Sequence, residues 1–499
     1  MRATAFALLG LGPAASSGAA SGDPPPDIRT FLEAASADEK VAKPALDTIA
    51  ASWKDGYAPL LVDLARFMRS ARPTRPAGDE EGPSLDDGDR RGGGGAAGRS
   101  GFPDSGSASG LPRSARIRAR LLGFLEKQTG QRFGDDLGRW RRWYWSRPYD
   151  PHPDYAAFKA GLYANVDPRM AAFFPPGARE LVRLDEVDWG GVGVNGIPPL
   201  DHPKIVAAGE AAYLKDKHVV FGVALGGEAR AYPKRILAWH EMARDRVGGV
   251  ELALVYCTLC GTVIPYDASI AGVTRTFGTS GLLYRSNKLV FDEESKSLWS
   301  TATGQPVLGA LAGQPLELRA YPVVTTTWKE WREAHPETTV LSLDTGYDRD
   351  YGEGEAYRDY FATDALMFQV PRTDDRLCHK DEDLAFTLEP AGGGPSLPMA
   401  LAVRFLEKNR LYPLEAGGRS LIVVTSPDGA NRVYEAGRVR LARLLPKGQI
   451  EAEGGARFRL TEDALLPESP GTPALPRVPA RRAFWFGWYA QYPETELVK

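Results

Sequence analysis

From about residue 185 to the C-terminus, glycine and proline are frequent, and short apolar runs are separated by turn residues. This pattern is typical of a mostly antiparallel β domain, which we place at residues 185–499. Within it, Gly226-Gly227 separates two apolar runs and predicts a β-hairpin. Residues 250–256 are almost wholly apolar and predict a buried strand that ends at Cys257. The predicted fold class is therefore α+β, with a small helical N-terminal region, a flexible linker and a large β-rich mixed domain.

Four shorter segments precede this domain. Residues 1–22 hold one arginine, a short apolar run and then small residues, an order that predicts a signal peptide and hence a secreted or periplasmic protein. Residues 27–72 and the Trp-rich residues 115–180 carry apolar side chains at helical spacing. Residues 73–114 show no hydrophobic period and predict a disordered linker. We interpret residues 27–72 as a packing or docking module, which leaves room for a protein partner.

Composition and motif searches exclude several classes of function. Lys+Arg 61 against Asp+Glu 64 leaves a net charge of -3, so no overall field attracts nucleic acid. After the N-terminus, no stretch has the roughly 18 to 20 apolar residues of a membrane span. The run Gly191 to Gly196 matches a dinucleotide fingerprint, but Pro198 and Pro199 follow where a helix must begin. We therefore expect no nucleotide cofactor, no nucleic-acid partner and no membrane span.

The sharpest motif is a pair of cysteines, Cys257 and Cys260, at the end of the predicted strand. Two thiols at this spacing can converge on one ion, and the following Gly261 lets backbone N–H groups turn toward sulfur. The same spacing suits a redox dithiol in which one thiolate attacks and the other resolves. A third interpretation is that both are small buried apolar residues. Because the chain has only three cysteines, a metal site must recruit other ligands.

His240 and Glu241 lie at the end of a helix that we predict from Pro233 to about Arg244, just before this strand. His240 is the best candidate for a third ligand or a proton-transfer partner. Glu241 can orient His240 or act as a base, although adjacent helical residues face different directions. Cys378-His379 offers two further candidate ligands on a predicted loop.

Several separate strings, in order, resemble the domain-of-unknown-function family DUF3179 over about residues 185–496. The strings are Gly196-Ile197-Pro198-Pro199, Glu228-Ala229-Arg230-Ala231-Tyr232-Pro233, Trp239-His240-Glu241, Tyr256-Cys257 with Cys260-Gly261-Thr262, Ser280-Gly281-Leu282-Leu283-Tyr284, Ser297-Leu298-Trp299-Ser300, Asp344-Thr345-Gly346 and Phe484-Trp485-Phe486. The family is largely bacterial, often exported and uncharacterised, so the resemblance implies no reaction.

The resemblance does imply one shared pocket that contains the helix His-Glu, the two thiols and the Ser-Gly-Leu-Leu-Tyr loop. The chain departs from the family pattern at two places. Thr258 stands where the family tends to carry proline. Cys378 and His379 do not belong to the family pattern, which argues against them as ligands. Candidate pocket residues outside the thiols are Trp239, Thr262, Ser280, Tyr284 and Trp299.

The leading hypothesis is an exported protein with a copper or zinc site formed by Cys257, Cys260 and His240, with Glu241 in support, because thiolates and imidazole favour these ions over hard cations. The alternative is a thiol-disulfide oxidoreductase that uses the Cys257-Cys260 pair. A third hypothesis is a non-catalytic binding or scaffold protein.

Overall fold

The N-terminal region is helical, as its apolar spacing predicts. The computed structural model describes residues 24–68 and 113–499, so the predicted signal peptide and nearly all of the predicted linker lie outside the described residues. The helices of the described part are α1 (Ile28–Ala34), α2 (Glu39–Ala51), α3 (Ala58–Arg66), α4 (Arg113–Thr129), α5 (Leu137–Trp145), α6 (Tyr155–Ala164), α7 (Lys234–His240), α8 (Trp328–Ala334), α9 (Arg358–Phe361), α10 (Val403–Lys408) and α11 (Trp485–Gln491). Within those residues, no helix combines the length and apolar character needed to cross a membrane.

Residues 179–341 form three of the larger sheets. The first has six strands in the order β1 (Arg179–Glu180), β15 (Pro306–Gly309), β14 (Leu298–Ser300), β13 (Asn287–Asp292), β12 (Phe277–Tyr284) and β2 (Val187–Trp189). The second has five, β16 (Val324–Thr327), β5 (Val219–Leu225), β6 (Glu228–Pro233), β17 (Thr339–Leu341) and β4 (Ile205–Ala207). The third has four, β3 (Leu200–Asp201), β7 (Met242–Val247), β8 (Val250–Cys257) and β9 (Thr262–Asp267).

Three further sheets complete the β-rich domain. Strands β10 (Ser269–Ile270) and β11 (Val273–Thr274) form a small ribbon. A four-stranded sheet has the order β28 (Arg481–Phe484), β18 (Glu382–Leu388), β19 (Leu397–Ala402) and β29 (Glu496–Val498). An eight-stranded sheet has the order β20 (Leu411–Ala416), β21 (Arg419–Thr425), β22 (Asn431–Glu435), β27 (Leu475–Val478), β26 (Ala464–Pro467), β25 (Arg457–Leu460), β24 (Gln449–Ala452) and β23 (Leu441–Leu445).

The predicted α+β class is confirmed, and most neighbouring strands are antiparallel. The Gly226-Gly227 hairpin joins β5 to β6, with φ of 55° and 84° at the two glycines, a backbone region that favours glycine. The parallel pairs among the assigned strands are β3 with β7, β6 with β17 and β19 with β29. Short turns rather than long crossovers therefore connect much of the domain, as the frequent glycines and prolines predict.

The helix expected from Pro233 to about Arg244 is wrong beyond His240. Glu241 takes a left-handed conformation, with φ 57°, and ends α7 there. The following residues form β7, which turns into β8 at Gly248-Gly249. Because of this early stop, Glu241 lies at the junction between a helix and a strand, with its carbonyl accepting the Tyr256 N–H at 2.9 Å.

The helical region and the six-stranded sheet share one hydrophobic core. Leu60, Leu121 and Trp140 of the helices belong to the same buried cluster as Leu282 and Phe291 of the sheet. Buried charges reinforce this contact, since the Asp188 carboxylate pairs with the guanidinium groups of Arg66 and Arg141. The helices of residues 27–68 and 113–164 therefore pack against the β domain of their own chain.

Candidate functional site

The two cysteines lie where β8 turns back into β9. The Cys260 N–H donates to the Cys257 carbonyl at 3.1 Å, which closes the turn. Gly261 follows with φ 61°, and a Cβ atom there would lie 3.0 Å from the Phe484 ring, so a glycine is required. Both thiols are free and 1% exposed, and their sulfur atoms lie 2.7 Å apart. The local sequence thus produces a buried, closely spaced pair of thiols.

The two thiols differ in acidity. Burial acts to raise the pKa of Cys257, but the hydrogen bond with the Cys260 thiol and bonds from the backbone N–H groups of Lys288, Cys260 and Leu259 outweigh it, so the pKa lies below its usual value. Burial raises the pKa of Cys260 well above its usual value, and the neighbouring Cys257 adds to the rise. When one proton is lost, the thiolate therefore forms at Cys257 and the proton stays on Cys260.

Glu241 is buried beside this pair with three partners for its carboxylate. The Thr258 hydroxyl donates to Oε1 at 3.0 Å, and the Tyr357 hydroxyl donates to the same oxygen at 2.8 Å. The Lys288 ammonium forms an ion pair with Oε2. A carboxylate that is 4% exposed is stable in its charged form only with partners of this kind.

Lys288 contributes to the site twice, through its backbone and its side chain. It lies on β13, paired with β12 in a hairpin whose turn residues, Arg285 and Ser286, have φ of 49° and 62°. The backbone N–H of Lys288 supports the Cys257 thiolate. Burial lowers the pKa of its side chain to about 7, while contact with the Glu241 carboxylate acts in the opposite direction and favours the ammonium.

These groups line one narrow pocket with a volume of about 40 Å³. A buried water needs roughly 10–15 Å³ on this measure, so the pocket has room for about three water molecules. Its polar lining comes from Cys257, Thr258, Glu241, Lys288, Thr279 and Tyr357, and its other walls from Gly190, Val192, Ile197, Leu259, Gly281, Leu282, Leu283, Met367 and Phe368. The pocket therefore presents one thiol and a carboxylate–ammonium pair inside mostly apolar walls.

A long segment, residues 352–371, covers the pocket and contains only the short helix α9. We call it the covering segment. Its Tyr360 hydroxyl donates to the Leu259 carbonyl at 2.7 Å, and Tyr357 reaches Glu241. The Lys380 ammonium donates to the Thr363 carbonyl at 2.8 Å and lies 3.4 Å from the centre of the Tyr360 ring. Long loops without regular structure are often functional lids. Tyr360, Phe368 and Val370 of this segment belong to the same buried cluster as both cysteines.

His240 bonds groups other than the thiols and is not among the residues that line the pocket. Its Nδ1 lies 2.9 Å from the Pro198 carbonyl, and its Nε2 bonds the Tyr351 hydroxyl. Burial lowers the pKa of His240, so the imidazole is neutral near pH 7. Residues 24–68 and 113–499 contain no group of three or more His, Cys, Asp and Glu side chains that could hold a metal ion. The two thiols alone do not supply the three or four protein ligands of a typical zinc site.

The other candidate residues lie outside the pocket lining. Cys378 is exposed, and His379 faces Asp364 at 3.4 Å. The Trp299 indole donates to Asp292 at 2.8 Å in the core, and the Ser280 hydroxyl donates to the Leu289 carbonyl at 2.5 Å. The Trp239 indole donates to the Asp350 carbonyl, and the Tyr284 carbonyl accepts from the Gln491 side chain. The buried Thr262 hydroxyl has no hydrogen-bond partner among the described residues.

Sequence reasoning missed Lys288 and Tyr357. The sequence does contain a feature that points to Lys288, because this lysine directly precedes the apolar run Leu289-Val290-Phe291. A lysine in a predicted buried strand needs a partner of opposite charge. Tyr357 had none, since it lies about 100 residues after the cysteines in an irregular segment.

Comparison with known proteins adds a family but no activity. The family model described as protein of unknown function (DUF3179) matches residues 194–495. No curated protein and no solved structure matches the chain.

Proposed function

Because the chain belongs to the DUF3179 family, whose description names no activity, its own residues must indicate the chemistry, and we propose that Cys257 and Cys260 act as a redox dithiol. In this proposal the protein is a thiol-disulfide oxidoreductase. Cys257 is the attacking thiolate, and Cys260 is the resolving thiol.

The observation that carries the proposal is the asymmetry of the two sulfur environments. Three backbone N–H groups and the partner thiol stabilise charge on Cys257, while Cys260 keeps its proton and its sulfur lies 3.3 Å from the Ser286 carbonyl. A pair of merely packed cysteines would not need donors aimed at one sulfur. An attacking and a resolving thiol need this difference, because only the thiolate is the nucleophile.

The reaction balances with a disulfide substrate. The Cys257 thiolate attacks one substrate sulfur and forms a mixed disulfide, and the other substrate sulfur leaves as a thiolate. Cys260 then attacks the Cys257 sulfur, its proton passes to the second leaving sulfur, and the Cys257-Cys260 disulfide remains. Two electrons pass to the substrate in this direction and return in the reverse direction.

Copper or zinc binding by the same two thiols is the competing hypothesis. Within the described residues, no group of three or more His, Cys, Asp and Glu side chains adds further ligands to them.

Residues 1–22 support export as part of the proposal, because they have the order of a signal peptide. Dithiols in exported proteins can persist as disulfides, whereas cytosolic thiols are kept reduced. We therefore expect the Cys257-Cys260 pair to cycle outside the cytoplasm.

The test uses full-length protein with Cys378→Ser, which removes the exposed third thiol. The protein is equilibrated with dithiol buffers of graded potential, alkylated and weighed by mass spectrometry, beside Cys257→Ser and Cys260→Ser versions. We expect a reversible two-electron transition that both single variants lose. Absence of the disulfide at every potential contradicts the proposal, and stoichiometric copper or zinc lost in both variants supports the metal hypothesis instead.

A further inference from the structure

The burial of the pocket restricts what can reach Cys257. Both cysteines are 1% exposed, and the covering segment packs against them and is held to the site by the Tyr360 and Tyr357 hydrogen bonds. A folded protein substrate cannot present a disulfide there without displacing this segment. A volume of about 40 Å³ admits a group of only a few non-hydrogen atoms.

The charge of the pocket also restricts the substrate. The Glu241 carboxylate and the Lys288 ammonium neutralise each other, and the walls around them are mostly apolar. An anionic substrate would find no uncompensated positive charge among these lining residues, and a cationic one would find no uncompensated carboxylate. A small neutral molecule is therefore the best match.

We propose that the oxidising substrate of this dithiol is a small hydroperoxide, which enters the narrow pocket and reacts at the Cys257 sulfur. The inference rests on the proposed dithiol function and adds the class of its oxidant. Hydroperoxides are neutral and compact, and their oxygen–oxygen bond is broken by a thiolate.

The chemistry balances in two steps. The Cys257 thiolate attacks one peroxide oxygen, the oxygen–oxygen bond breaks, and the departing oxygen takes a proton to leave as water or an alcohol. Cys257 is then a sulfenic acid. The Cys260 thiol attacks that sulfur, water leaves, and the Cys257-Cys260 disulfide forms. A thiol reductant returns the pair to the dithiol, with two reductant thiols becoming one disulfide.

The pocket also holds a source for the proton on the departing oxygen. The Lys288 ammonium and the Thr258 and Tyr357 hydroxyls all meet at Glu241, and all four residues line the same pocket as Cys257. In bulk water the departing oxygen takes its proton from solvent, but in a narrow and mostly apolar pocket a bare hydroxide is a costly leaving group.

Cys378 provides an internal control, because it is an exposed thiol of the same chain. Only the thiolate attacks peroxide, and the hydrogen bonds from three backbone N–H groups and the Cys260 thiol hold the pKa of Cys257 below its usual value. We therefore expect hydrogen peroxide to oxidise Cys257 faster than Cys378 in stopped-time alkylation experiments at pH 7.

Three further measurements complete the test. In Cys260→Ser, dimedone should trap a sulfenic acid on Cys257, and bulky cumene hydroperoxide should react more slowly than hydrogen peroxide. Lys288→Met should slow the peroxide step, whereas Lys296→Met, at a partly exposed lysine outside the pocket lining, should not. A Cys257 rate equal to that of Cys378, or no trapped sulfenic acid, overturns the hydroperoxide proposal. If the disulfide still forms reversibly in dithiol buffers, the dithiol function survives that result, so the two proposals fail separately.

Discussion

The buried Glu241–Lys288 ion pair allows a sharp test of what holds the site together. Replacing Lys288 with methionine keeps most of the length of the side chain and removes its charge. Glu241 then remains 4% exposed without its cation, although the Thr258 and Tyr357 hydroxyls still donate to it. The single variant Lys288→Met should therefore be destabilised by an uncompensated carboxylate rather than by a cavity.

The magnitude follows from those contacts. Removing one partner of a buried ion pair costs about 3–5 kcal/mol. Each remaining hydroxyl hydrogen bond to the carboxylate stabilises it by about 1 kcal/mol, so the expected loss lies near 1–3 kcal/mol. The double variant Glu241→Gln/Lys288→Met removes both charges and keeps an acceptor for the two hydroxyls. We expect it to recover most of the loss, with a coupling free energy of about 2 kcal/mol.

The assay is denaturant unfolding of wild type, both single variants and the double variant, followed by tryptophan fluorescence at pH 7. Lys296→Met serves as the control, since Lys296 is partly exposed and its ion pair with Glu293 lies at the surface, where such pairs contribute about 1 kcal/mol or less. If the losses of the two single variants simply add in the double variant, the carboxylate and the ammonium do not stabilise each other, and this account of the pocket is refuted.

Three other predictions concern a glycine, a buried carboxyl group and the two thiols. Gly281→Ala should destabilise the protein by about 2 kcal/mol or more, because φ is 78° and the added Cβ would lie 2.4 Å from a backbone oxygen, whereas Gly209→Ala, with open space around it, should not. Burial raises the pKa of Asp383 well above its usual range, so the folded state holds a proton that the unfolded state releases above about pH 4. Stability should then fall as pH rises above that value, and Asp383→Asn should raise the melting temperature at pH 8 and flatten its pH dependence; an unchanged profile would contradict this. Methanethiosulfonate labelling mapped by mass spectrometry at pH 6.5 should modify Cys257 before Cys260, and the reverse order would contradict the assigned roles.

Local patterns predicted the framework of the site well. The Gly226-Gly227 turn and the apolar residues 250–256 both have short-range causes, namely the left-handed preference of glycine and the burial of a continuous apolar strand. These patterns correctly predicted that Cys257 lies at the end of a strand. They failed at Glu241, because its left-handed backbone is held by its carbonyl bond to Tyr256 and by the partners of its side chain.

The sequence by itself determined that a β-rich domain follows a helical region and that two thiols stand together at a strand end, since both are properties of neighbouring residues. Only the tertiary structure decided which groups face those thiols. The β12–β13 hairpin brings the Lys288 backbone to Cys257, and the covering segment brings Tyr357 to Glu241 from 116 residues away. Contacts between residues so distant along the chain depend on how sheets pack and where a loop crosses them, and no periodicity within a short window records that arrangement.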